Sequence, residues 1–286
     1  MWNIHHAYIA GAFVPVQGSE RLEIVGPATG QAIGTVTLAN RDDAKRAIEA
    51  AARAQPAMAG SSKAQRIAML RRLEAAVLAR TEQICEATIE EYGGPLARSR
   101  WVSNYASQCF ADTARMLEGY EFERRMGDAV VRMEPVGVAG LIAPWNSTAG
   151  SICSKLASAV AAGCASVVKP SEFSPLQARV VTEALHEAGL PAGAVNVLLG
   201  RGGDVGDEIA THPAIAKISF TGSTATGKLI ARAGCASGRI AGCRPDSTAC
   251  TSPAAFLLPH PNSACCRSGS GSCTDRARPA RLPARR

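Results

Sequence analysis

No stretch of the sequence is long and apolar enough to span a membrane. The longest nearly uncharged, small-apolar run, Leu156–Val168, falls short of the roughly 20 residues that a membrane helix needs. The opening residues, Met1-Trp2-Asn3-Ile4-His5-His6, lack the basic and then apolar regions of a secretory signal. No internal repeat of fixed period is present, which sets aside solenoids and propellers. An excess of one charge sign is missing too from most of the chain. Residues 1–233 hold 23 Lys and Arg against 22 Asp and Glu, so the formal net charge of +7 sits almost wholly in residues 234–286. The expectation is a soluble, cytoplasmic protein with neither a membrane nor a nucleic acid as partner.

What is present suffices for a core. The 286 residues are 47% hydrophobic and 19% charged, enough to exclude a wholly disordered chain, and the length allows about two domains. Asn40 before Arg41-Asp42-Asp43-Ala44 marks a capped helix start. Further helical periods run over about 61–80, 81–92 and 98–119, with short strand-like pieces at Ala32–Leu38 and Ala129–Met133. From Val136 short apolar runs alternate with Ala-rich helical runs. The strands expected are Val138–Ala143, Ala165–Lys169, Val195–Leu199 and Ile215–Phe220; the helices are Gly150–Ala162, Leu176–Ala188, Asp204–Thr211 and one from Ser223 to Ala233. Strands apolar throughout and alternating with helices imply a parallel sheet covered on both faces. Three segments are therefore distinguished: 1–135 with helices and short strands, the α/β segment 136–233, and a low-order tail over 234–286.

Ligands of such sheets sit at the carboxyl ends of the strands, and three motifs lie there. Phe220-Thr221-Gly222-Ser223-Thr224-Ala225-Thr226-Gly227 joins a strand to a helix, whose free N–H groups and positive dipole end suit a phosphate. Its G-x-x-x-x-G spacing is not the usual dinucleotide fingerprint, and an ordinary strand–helix turn fits it as well. Lys169-Pro170-Ser171-Glu172 offers a cation and a carboxylate to ribose hydroxyls, and equally a Ser-capped helix start. Asn146, in Pro144-Trp145-Asn146, can aim its amide at a developing oxyanion or serve as a turn residue.

In this order and spacing, the three motifs resemble the NAD(P)-dependent aldehyde dehydrogenase family. The resemblance covers about residues 6–233 and includes Gly11, Pro27-Ala28-Thr29-Gly30 and Glu134-Pro135-Val136-Gly137-Val138. It implies an α/β, Rossmann-type parallel sheet preceded by helices and oligomerisation strands, and homo-oligomers of the intact enzymes. It implies that Asn146 stabilises an oxyanion and that Lys169 and Glu172 hold the adenine ribose. The turn from Gly222 to Gly227 would lie at the pyrophosphate. Pro144, Trp145, Ser171, Gly203, Phe220, Thr221 and Ser223 complete the implied cofactor set. A carboxylate at Glu172 repels a 2′-phosphate, so NAD is expected in preference to NADP. The family reaction oxidises an aldehyde: a cysteine thiolate attacks it, hydride passes to the nicotinamide, and a glutamate activates water to release the acid.

The sequence departs from that pattern beyond the glycine turn. The family's Glu-Leu-Gly-Gly-Lys and Gly-Gln-x-Cys segments do not occur, so nucleophile and general base are missing, and no aldehyde oxidation is expected of this chain. Ser147 stands where the family often has an aromatic residue, which widens the expected pocket or makes it more polar. Residues 234–286 have no sustained period, and their six cysteines form no C-x-x-C pair. A read-through in a shifted frame of a GC-rich gene accounts for their Arg, Ala, Pro, Ser and Cys. A metal site and a basic nucleic-acid tail are the weaker readings. The expected function is an inactive half of an aldehyde dehydrogenase; the alternative is a non-catalytic NAD-binding protein that pairs with an intact relative. Cys153 and Cys164 are expected to be structural thiols.

Overall fold

A computed structural model describes residues 1–236 and 240–245, with residues 126, 235, 236 and 240–245 described by backbone alone. The chain opens with five short strands: β1 Trp2–Ile4, β2 His6–Ile9, β3 Ala12–Pro15, β4 Arg21–Val25 and β5 Ala32–Thr37. Four helices follow, α1 Arg41–Ala59, α2 Lys63–Leu78, α3 Thr81–Tyr92 and α4 Leu96–Glu118, and then a ribbon of β6 Glu123–Met126 and β7 Ala129–Arg132. The alternating part runs β8 Val138–Ile142, α5 Thr148–Ala162, β9 Ser166–Lys169, α6 Pro175–Glu187, β10 Val195–Val197, α7 Asp207–Thr211, β11 Ile215–Gly222, α8 Thr224–Ala236 and β12 Ile240–Pro245.

The expected α/β architecture is present. Five parallel strands lie in the order β12-β11-β8-β9-β10. The sheet is mixed rather than wholly parallel, because β2 joins β10 antiparallel and β3 extends β2 as a hairpin. That hairpin supplies the antiparallel pairing a two-residue turn permits; Gly11 in the turn has φ +86°, a conformation that glycine adopts without strain. A second sheet, β1-β5-β4, stands apart from the first. Strand β12 and the end of α8 lie beyond residue 233, where the sequence rhythm stops. An apolar run as short as Ile240-Ala241-Gly242 is below the length at which a period can be recognised.

Helices α1, α7 and α8 cover one face of the large sheet, and α5 and α6 cover the other, backed by α2, α3 and α4. Helix α5 therefore lies between the sheet and an outer helical layer, and all of its residues but Ser151 are buried. That double coverage explains its composition: small apolar residues all round, rather than the one-sided stripe of a surface helix. It ends at Gly163, φ +81°, where a side chain would meet the Arg66 guanidinium at 2.6 Å.

The N-terminal strands are tied to α1 through one carboxylate. Asp43 closes a capping box with Asn40 at the start of α1 and is fully buried. It accepts N–H groups from Gln17 at 2.9 Å and Asn40 at 3.0 Å, and pairs with Arg46. Asp43→Ala removes the acceptor of those partly buried amides and the partner of Arg46. A loss of about 2–4 kcal/mol is expected, read as a lower urea midpoint with the slope unchanged.

Candidate active site

Backbone register sets the site. Parallel pairing puts Phe220 of β11 opposite Ile142 of β8, and Ile142 opposite Lys169 of β9. Strands β8 and β9 thus end level, and β11 runs beside β8 for two residues more, to Gly222. Two residues beyond Ile142 begins Pro144-Trp145-Asn146; beyond Phe220 come Thr221 and Gly222; beyond Lys169 comes Pro170-Ser171-Glu172. The motifs read from the sequence are brought to one edge, the carboxyl end of the sheet.

At the β9 end, Lys169 is buried and donates from Nζ to the Pro170 carbonyl at 3.2 Å and to Glu172 Oε2 at 3.1 Å. Burial pulls the Lys169 ammonium below its ordinary pKa, and the Glu172 carboxylate opposes this. Glu172 also faces the Arg201 guanidinium at 3.8 Å, and Arg201 in turn bonds Glu20 at 2.7 Å. The Glu172 charge is therefore flanked by two cations. Ser171 Oγ accepts the Phe173 N–H at 3.3 Å, which orders the turn. Gly203 lies in a π-helical turn, Gly202–Gly206, with open space around it. A side chain on Gly206 of the same turn would begin 3.7 Å from the Lys169 side chain.

At the β11 end, Gly222 lies over the Phe220 ring, and a side chain there would come within 2.5 Å of it. Ser223 serves α8 itself: its Oγ accepts the Thr226 N–H at 3.2 Å and lies 2.9 Å from Thr226 Oγ1. Its backbone carbonyl accepts from Gly227, which is buried. At the β8 end, Asn146 is exposed with its side chain unbonded to any described residue. Trp145 is exposed and packs edge-on against Tyr92 at 5.3 Å. Beside it, Gly150 leaves room for Tyr105, whose ring lies 2.8 Å from where a side chain would begin; Tyr105 stacks on Trp101 at 5.2 Å.

Two buried charged residues of this region escaped the sequence reading. Lys155, the one charged residue of α5, reaches Ser219 at 3.3 Å and Thr221 at 2.7 Å. A lone lysine in an apolar helix was the available signal. Glu91 at the end of α3 accepts the Leu176 and Gln177 N–H groups at 2.6 and 3.0 Å. Burial pushes its carboxyl up to about 8, against the pull of those amides. Nothing in the local sequence distinguishes it from Glu90.

The donor set suits a dinucleotide. A carboxylate and an ammonium stand at one strand end, and a helix N-terminus stands at another. Thiols do not complete it. Cys85, Cys109, Cys153 and Cys164 are all buried and free, and burial raises each thiol pKa, Cys109 to about 12. The six remaining cysteines lie outside the residues whose side chains are described.

Comparison with known proteins agrees with this geometry. Residues 13–242 match the model of the aldehyde dehydrogenase family. The chain is 36% identical over 228 residues to a 3-succinoylsemialdehyde-pyridine dehydrogenase of a Pseudomonas species, covering 79% of this chain and 48% of that protein. It is 37% identical to a putative aldehyde dehydrogenase of Staphylococcus haemolyticus, covering 80% and 49%. Among solved structures, a mutant aldehyde dehydrogenase C of Pseudomonas syringae, complexed with NAD+ and octanal, superposes with a TM-score of 0.81 at 33% identity, over 83% of this chain and 49% of that one. The chain spans about half the length of the curated relatives it matches.

The four described thiols are expected to resist an aromatic disulfide reagent in the native state at pH 8, because only the thiolate reacts. Mass spectrometry of the labelled chain checks this; all four should become reactive once urea unfolds it.

Proposed function

This chain belongs to the aldehyde dehydrogenase family, and on that premise we propose that its strand-end face holds a nicotinamide dinucleotide, while the 286 residues alone oxidise no aldehyde. One observation carries the reading: the level row Phe220–Ile142–Lys169, which gathers the glycine turn, the Asn146 amide and the Lys169–Glu172 pair on one edge. In this reading Glu172 and Lys169 bond the adenine ribose, and the first turn of α8 meets the pyrophosphate. When bound, the cofactor supplies the two-electron acceptor. Asn146 donates to an oxyanion, in a site where such a donor contributes about 3–4 kcal/mol.

An oxyanion arises only after a nucleophile has attacked. The four described thiols are buried, and neither the Gly-Gln-x-Cys nor the Glu-Leu-Gly-Gly-Lys segment occurs in the chain. Proximity of a well-oriented nucleophile contributes roughly 7–11 kcal/mol, which Asn146 alone does not replace. The family match ends at residue 242, so the frame change we infer for the tail lies near that codon rather than at Ala233.

On cofactor choice, the Glu172 carboxylate favours NAD, since a 2′-phosphate would meet its charge. Arg201, 3.8 Å from Glu172, supports a second reading, in which its guanidinium offsets that repulsion and NADP is also accepted. Titration calorimetry with both cofactors separates them. The first reading expects NAD to bind more tightly and Glu172→Gln to narrow the gap by about tenfold. The second expects comparable affinities in the parent and a selective loss of NADP affinity in Arg201→Ala.

For activity, the 286-residue chain with NAD and octanal is expected to form no NADH by absorbance at 340 nm. The gene read in the other frames past codon 242 should show a Glu-Leu-Gly-Gly-Lys-like segment and then Gly-Gln-x-Cys. Sustained NADH formation by the present chain overturns the inactive reading, and frames holding neither segment overturn the account of the tail.

A further inference from the structure

Helices α5 and α6 start at the edge that carries Asn146 and Glu172, and neither start is capped by its own side chains. Ser147 and Ser174 occupy the N-cap positions without a side-chain bond to the following amides. The first turn of a helix leaves N–H groups that must find acceptors when buried, and Thr148, Ala149, Leu176 and Gln177 are all buried. The acceptors for Ala149, Leu176 and Gln177 come from elsewhere. Glu91, one residue before the end of α3, accepts the Leu176 N–H on one carboxyl oxygen at 2.6 Å and the Gln177 N–H on the other at 3.0 Å. The Gln177 side-chain oxygen then accepts the Ala149 N–H of α5 at 3.3 Å.

A hydroxyl pair joins the same two starts. Thr148 Oγ1 lies 2.7 Å from the Pro144 carbonyl and 2.6 Å from Ser174 Oγ, and Ser174 Oγ donates to the Ser171 carbonyl at 3.2 Å. Pro144 begins the Asn146 loop, and Ser171 precedes Glu172. Next to Glu91, the Tyr92 ring packs edge-on against Trp145. The end of α3 therefore touches the base of both loops, although none of its residues lies among the motifs.

From these contacts we infer that Glu91 is a positioning residue, whose carboxyl caps α6 directly and α5 through Gln177, and so holds the Asn146 loop and the Lys169–Glu172 turn in register. The inference rests on the cofactor reading for its functional consequence, but not for the relay itself. Removing the carboxyl strips two buried amides of their acceptor and frees the Gln177 side chain from the geometry that serves Ala149. The disturbance thus reaches α5, which Glu91 does not touch.

The test compares the full chain with Glu91→Ala, Glu91→Gln and Thr88→Val. The last removes a buried hydroxyl bonded to Ile84 one turn earlier in α3 and leaves the caps in place. Hydrogen–deuterium exchange is read in peptides covering residues 147–151 and 174–178, and NAD affinity by calorimetry on the same samples. Glu91→Ala is expected to speed exchange in both peptides by about tenfold or more and to weaken NAD by about tenfold. Glu91→Gln, which keeps one acceptor oxygen, should fall between it and the parent, and Thr88→Val should match the parent in both readouts. Faster exchange in 174–178 alone overturns the relay. Equal effects from Thr88→Val overturn it too, since they show general loosening of α3. If Glu91→Ala fails to fold, Glu91→Gln decides by the same criteria. A parent chain that binds no NAD removes the cofactor reading, and the exchange pattern still decides the relay.

Discussion

Everything at the functional edge depends on parallel pairing among β11, β8 and β9. Evenly spaced backbone hydrogen bonds fix where each strand stands relative to its neighbour, and here they set Phe220, Ile142 and Lys169 in one row. A shift of one residue in any of these pairings would turn every side chain of that strand to the other face. It would also displace the loop that follows. The chemistry-bearing residues need no long-range contacts among themselves, because the sheet has already brought their loops together. Buried apolar residues along both faces hold that register, since slippage would expose them.

Much of this arrangement was legible in the sequence. The alternation from Val136 announced the parallel strands and their covering helices, and Asn40 with Asp43 announced the start of α1. The three strand-end motifs were found because each sits where an apolar run stops and polar residues begin. The N-terminal strands were harder. Segments such as Trp2–Ile4 and Ala12–Pro15 are too short for a period, and their partners are distant: β1 pairs β5, and β2 pairs β10. Burial by tertiary context leaves no local mark. Glu91 reads like its exposed neighbours on α3, and only the fold shows that α6 begins beside it.

Four buried ionisable residues share one mode of accommodation. Asp43, Glu91, Arg66 and Lys169 are buried, and each bonds backbone groups: Asp43 and Glu91 take amides, while Arg66 and Lys169 give to carbonyls. Backbone partners are rigid and suffer little loss of rotamer freedom, unlike a second long side chain. Asp43, Arg66 and Glu91 also join segments far apart in the chain, whereas the bonds of Lys169 stay within its own turn. The contribution of those three is therefore more to the relative placement of elements than to net stability, for which burying a charge is a poor route.

Gly150 and Tyr105 bear on how this surface can change over generations. The Tyr105 ring fills the space where a side chain at position 150 would start, 2.8 Å from it, and the ring is braced by Trp101. The two positions therefore mutate in a fixed order. A smaller residue at 105 opens the space and permits a side chain at 150 afterwards, whereas the reverse order passes through a steric clash. The return has its own order: once 150 carries a side chain, reversion of 105 to an aromatic is blocked until 150 is glycine again. Lineages that have taken both steps carry a differently shaped wall beside the Asn146 loop.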